Sequence, residues 1–120
     1  MRWKTDEIEK LFEQVAAETS RPTRIVTGSP GGDVDTSSVQ MQFTDKDYLF
    51  FTARGFNCGN YETAQTPDDV EVEMVELTDG AGSDCGCASD DEDFGIAMAK
   101  VKARLRKMGF SVVPRLKDYF

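Results

Sequence analysis

The sequence predicts an α+β domain: an antiparallel meander of three to five strands with an N-terminal and a C-terminal helix packed on one face. Two patterns predict it. Apolar residues recur at helical spacing over residues 5–19 and again over residues 94–108, while runs between them alternate apolar and polar, as half-buried strands do. Hairpin-linked strands between two helices assemble as segregated layers. The order is α-β-β-β-β-α with a short further strand at the end, and residues 1–120 are expected to form a single domain.

The first helix carries Ile8, Leu11, Phe12, Val15 and Ala16 as its apolar stripe. Thr5 is placed to cap it, Asp6 and Glu7 suit the positive end of its dipole, and Arg21-Pro22 ends it. Trp3 is expected to pack on this helix. A short strand over residues 23–27 surrounds Ile25 and Val26, and the glycine- and proline-rich segment from Gly28 reads as a loop. Val39, Met41 and Phe43 alternate with Ser38, Gln40 and Gln42, which predicts a strand with one wet face. A tight turn over residues 44–47 then joins it to a more apolar strand over residues 48–53, making a hairpin. In the next strand Val70, Val72 and Met74 alternate with Glu71 and Glu73. Val75 and Leu77 fall on the opposite phase, which predicts a bulge or twist near residue 74.

The second helix has the fullest set of local signals. Ser89 and Glu92 have capping-box spacing, Phe94, Ala97, Met98, Val101, Leu105 and Met108 form one stripe, and five cations occupy the later turns. Gly109 stands where a helix end favours glycine. Residues 110–113 suit a last short strand.

Composition narrows the function. The chain has 120 residues with 22 acids against 14 cations, a net charge of −8. From residue 55 to residue 99 there is no lysine or arginine, and that stretch holds twelve acids. Such a surface repels nucleic acid and attracts cations, so direct nucleic-acid binding is not expected. No apolar run reaches membrane-span length, and no apolar core follows the first seven residues as in a signal peptide, so the chain is expected to be cytoplasmic with no membrane contact. Three cysteines are too few for a disulfide scaffold, which suits a reducing compartment.

There is no histidine, which excludes Ser-His-Asp and Cys-His arrangements and removes the commonest acid–base group at neutral pH. No nucleotide-binding glycine pattern is present, and the segment around Asp33 and Asp35 lacks the later ligands of a calcium loop, with Ser38 and Thr44 where glycine and glutamate are required. The chain is therefore expected to be non-catalytic, with no catalytic residue and no cofactor. Cys85-Gly-Cys87 with Cys58 is the candidate metal or thiol set, one ligand short of a zinc site.

The residues expected to meet a partner are Glu71, Glu73, Glu76, Asp79, Asp84, Asp90, Asp91, Glu92 and Asp93. Spaced carboxylates of this kind can imitate phosphates and occupy a basic surface, for instance that of a nuclease or another nucleic-acid-binding complex, as an inhibitor, immunity or anti-defence protein of a phage or bacterium would. The same acids also suit a solvated strand face. Two other readings remain: a metal- or thiol-dependent protein centred on the cysteines, and a self-associating adaptor or chaperone-like domain. A homodimer of the latter kind would use Phe56, Tyr61, Tyr119 and Phe120 as contact aromatics.

Overall fold

The computed structural model describes residues 1–28, 38–46, 49–56, 69–79 and 91–114. Two helices, α1 (Thr5–Glu18) and α2 (Glu92–Lys107), accompany seven strands: β1 (Arg2–Trp3), β2 (Thr23–Thr27), β3 (Ser38–Phe43), β4 (Phe50–Phe56), β5 (Val70–Glu71), β6 (Met74–Asp79) and β7 (Val112–Val113). Five of them form one sheet in the order β2-β3-β4-β6-β7, and β1 pairs with β5 apart from it. The predicted α+β architecture and its element order hold.

Register decides which side chains share a face. Met41 stands opposite Ile25 and Phe51, and Val39 opposite Ala53, which in turn faces Leu77. Successive residues of a strand point to opposite faces, so these side chains line one side together. Both helices pack there. The Phe12 ring lies 5.6 Å from that of Phe51, and Phe94 touches Phe51 at 5.6 Å and Phe43 at 6.0 Å, the latter two edge-on. Ile8, Leu11, Phe12 and Val15 of α1 and Phe94, Ala97, Val101 and Leu105 of α2 are the buried stripes that cover it.

Four local expectations are corrected. Thr5 is the first residue of α1, not its cap; Lys4 holds the cap position without a side-chain bond, and the Thr5 hydroxyl accepts instead from Trp3 Nε1 at 3.0 Å. The cap of α2 is Asp91, whose carboxylate accepts from the Phe94 backbone N–H at 2.9 Å. Ser89, the residue expected there, lies outside the described residues. The face of β3 expected to be wet is not, because Ser38 and Gln40 are 2% and 5% exposed. Lastly, the sheet is not wholly antiparallel: β7 joins β6 in parallel, Val75 opposite Val112 and Glu76 opposite Val113, after the chain has passed through α2.

The phase slip in the third acidic strand resolves as a break. Val70 and Glu71 pair with β1, Val72 and Glu73 step across, and β6 then places Val75 and Leu77 on the helix side. The step is held by backbone bonds, Val72 N–H to the Met1 carbonyl at 2.9 Å and Glu73 N–H to the Phe56 carbonyl at 2.8 Å. Gly109, with φ 106°, ends α2 as its position predicts.

Trp3 is fully buried, edge-on to Phe110 at 6.3 Å. It lies so near β4 that a Cβ on Gly55 would sit 2.8 Å from Trp3 Cε3 and 3.1 Å from Val72 Cγ1. Glycine is required there by close approach, and the indole has no room to retreat. Gly55→Ala is expected to destabilise the fold by about 1–3 kcal/mol, the usual cost of forcing extra volume into a packed core. Urea unfolding followed by tryptophan fluorescence measures it.

Candidate acidic surface

The nine acids expected to meet a partner do not form one strip. Glu71 and Glu73 lie at the β1–β5 end of the molecule. There Glu71 binds the N-terminal ammonium at 2.8 Å, which holds its carboxyl below the usual range. Glu76 is half-buried in the middle of the sheet, with Arg54 opposite it on β4 and Val113 on β7, so β6 is an inner strand and not an edge. Asp79 ends β6 opposite Phe51, about 20 Å from Glu73 at the rise of an extended strand. Asp91, Glu92 and Asp93 open α2 at that same far end, because Phe94 contacts Phe51. Asp84 and Asp90, like Cys58, Cys85 and Cys87, lie outside the described residues. Among the described residues no group of three or more acids or cysteines is arranged to hold a metal ion.

At the far end, the turn that joins β3 to β4 adds Asp45 and Lys46. Its hairpin is closed by Phe43 N–H to the Leu49 carbonyl at 2.9 Å. Between the turn and the start of α2 sits Arg21, just after α1. Its Nη1 donates to both oxygens of Asp91 at 2.6 Å, its Nε to Asp45 at 3.0 Å, and its guanidinium lies 4.7 Å from the centre of the Phe43 ring. Asp93 is 3.7 Å away and Lys46 reaches Asp91 at 4.0 Å. Both members of the main pair are well covered, at 17% and 10% side-chain exposure, so solvent screens it little. The hydrogen bond from Arg21 holds the Asp91 carboxyl below its ordinary range; burial opposes this, and the Phe94 N–H and Lys46 reinforce it. Asp91 in turn raises the Arg21 guanidinium above its ordinary value.

Among the described residues five carboxylates thus lie at this end, Asp45, Asp79, Asp91, Glu92 and Asp93, against Arg21 and Lys46. Arg21 and Asp91 are both covered and Asp45 is paired with Arg21, which leaves Asp79, Glu92 and Asp93 against Lys46 among the described residues. Sequence spacing found Asp79 and Asp91 to Asp93 but missed Asp45 and Arg21, which are ordinary turn and helix-end residues until the hairpin brings them to α2. Another ion-pair group joins the helices: Glu18 accepts from Lys100 at 3.0 Å and from Arg104 at 2.7 and 2.9 Å, Lys100 contributing most to the lowering of its carboxyl. The basic turns of α2 are therefore partly committed to α1.

One expected contact aromatic is also relocated. Phe56 is not a loop residue but the last of β4, 3% exposed, with Arg54 5.6 Å over its ring. Tyr61, Tyr119 and Phe120 lie outside the described residues. No helix among the described residues is long and apolar enough to cross a membrane.

Asp91 serves both as cap and as ion-pair partner, and substitutions separate the roles. Asp91→Asn keeps a capping oxygen and loses the charge; Asp91→Ala loses both and is expected to cost about 1–2 kcal/mol more, the worth of a cap. A carboxyl lowered in the folded state adds stability that is complete above its unfolded pKa, about 3.9, and is lost as pH falls through the folded value. Urea titrations between neutral and acid pH should show this loss in the parent protein and a flatter dependence in Asp91→Asn.

No protein-family model, no curated protein and no solved structure matches this chain, so the reading of its function rests on the arrangement of its own residues.

Proposed function

We propose that the protein is a small non-catalytic binding module that covers a basic surface of its partner with the acidic end formed by the β3–β4 turn, the end of β6 and the first turn of α2. The observation that carries this reading is the imbalance there: among the described residues Arg21 is paired with Asp91 and Asp45, and Asp79, Glu92 and Asp93 remain against the single cation Lys46. A rigid carboxylate array of this kind offers a nucleic-acid-binding protein a substitute for phosphates, and its long-range field speeds encounter. The partner class is a basic protein such as a nuclease or a nucleic-acid-binding complex, and the action is blockade.

The reading is tested by affinity capture from host lysate on immobilised protein, at low and at high salt, beside the variant Asp79→Asn/Glu92→Gln/Asp93→Asn, which leaves the cap residue Asp91 intact. Nucleic-acid-binding proteins should be enriched at low salt, lost at high salt and displaced by short duplex DNA. The variant should bind them about tenfold or more weakly. Capture that is indifferent both to salt and to the variant overturns the reading.

A second reading, self-association, is favoured by the outer face of α2. Glu92, Gly95, Ile96, Ala99, Ala103 and Arg106 are exposed, Ile96 at 47%, and Lys102 flanks them. Laid antiparallel on a second copy about a two-fold axis through Ala99, this face sets Glu92 against Arg106 and Ile96 against the stem of Lys102, with Gly95 and Ala103 allowing close approach. Such self-complementarity is what a two-fold interface requires. Sedimentation equilibrium should then show a dimer that Glu92→Arg or Arg106→Glu weakens and the double exchange restores. A parent protein that stays monomeric at high concentration removes this reading.

A further inference from the structure

The side of the sheet away from the helices carries a separate feature. Across β2, β3 and β4 the register aligns Arg24, Gln42 and Phe50 in one row, and Val26, Gln40 and Thr52 in the next. Between the rows lies a depression of about 470 Å³ lined by Arg24, Val26, Gln40, Gln42 and Phe50. That is the size of a small-molecule site.

Its polar groups are arranged unusually for this chain. Acids outnumber cations 22 to 14, yet Arg24 makes no ion pair among the described residues. Its Nη2 donates instead to the neutral Gln42 Oε1 at 2.5 Å, a contact that fixes the guanidinium while leaving its charge and its other N–H groups to a ligand. Gln40 forms the floor and is 5% exposed. Its Nε2 donates to Thr52 Oγ1 at 3.4 Å, and its carboxamide oxygen has no hydrogen-bond partner among the described residues. That oxygen is therefore open to accept from a bound N–H or O–H. Val26 and Phe50, both half-buried, supply apolar walls.

We propose that this depression binds a small monocarboxylate with an apolar or aromatic body and a hydrogen-bond donor beside the carboxylate. The carboxylate meets the fork of Arg24, the donor reaches the Gln40 oxygen, and the body lies against Val26 and Phe50. One arginine with no second cation suits a singly charged carboxylate better than a phosphate, which draws clustered cations. This is the pattern of an N-acylated amino acid or of a peptide's C-terminal residue. The site lies on a different surface from the acidic end and stands or falls apart from it.

The test is calorimetry and backbone NMR shift mapping with four probes: N-acetylphenylalanine, its C-terminal amide, 3-phenylpropionic acid, and a pentapeptide ending in phenylalanine with a free carboxylate. The acid should bind in the millimolar to submillimolar range and shift resonances of β2, β3 and β4. The amide should bind at least tenfold more weakly, as should the acid to Arg24→Gln, an exposed substitution expected to leave the melting temperature unchanged. Gln40→Leu should weaken the acid severalfold and not 3-phenylpropionic acid, which keeps the carboxylate and has neither N–H nor O–H donor beside it. Comparable or tighter binding of the pentapeptide identifies the ligand as a protein C-terminus; its exclusion identifies a free small acid. Equal binding of acid and amide, undiminished binding to Arg24→Gln, or no shift on these strands overturns the proposal.

Discussion

The fold is tied together by the pair between Arg21 and Asp91. Arg21 follows α1 directly, Asp91 precedes α2, and Asp45 belongs to the β3–β4 turn, so a single guanidinium joins both helices to the hairpin between them. The joint lies over the Phe43 ring, directly above the aromatic contacts that seat α2 on the sheet. A part-buried charge pair is costly to assemble, and its contribution lies less in net stability than in admitting one arrangement, since either partner left alone would be a covered, uncompensated charge. Here that arrangement sets where α2 begins and, through the helix, where the last strand falls.

Much of this was legible in the sequence. The apolar stripes of both helices are the ones that are buried, the β3–β4 hairpin stands where the turn residues put it, and Gly109 ends α2 as expected. What escaped depends on partners distant in sequence. Asp91 and Ser89 are equally good caps locally, and Asp91 is chosen because Arg21, seventy residues earlier, reaches it. Ser38 and Gln40 are polar members of an alternating strand, and alternation by itself cannot tell a wet face from a covered polar one. The parallel β6–β7 pair escaped because two residues of strand carry almost no periodicity, and its direction follows only from the intervening helix.

The acidic character of the chain has two different physical meanings once its placement is known. Some acids are structural: Asp91, Asp45, Glu18 and Glu71 each hold a cation that joins two elements. Others, such as Glu92, face outward. A count of charges over the cation-poor stretch merges the two kinds, and separating them moves attention from the strand itself to one end of the sheet. The depression on the side of the sheet away from the helices is different again, its lining neutral apart from Arg24, which keeps its charge among glutamines.

The parallel pairing of β7 with β6 has a consequence for the order of events as the chain is made. Strands β2, β3 and β4 neighbour one another in sequence and in space and can zip together early, whereas β7 reaches β6 only after α2 has formed and docked. Until then β6 presents an unpaired outer edge, and Phe43 and Phe51 lack the Phe94 ring that seats α2 on the sheet. A nascent chain is therefore most vulnerable to intermolecular strand pairing over the interval between synthesis of β6 and release of the last residues of α2. The acids on and after β6 fall within that interval, and their mutual repulsion between chains discourages such pairing while it lasts.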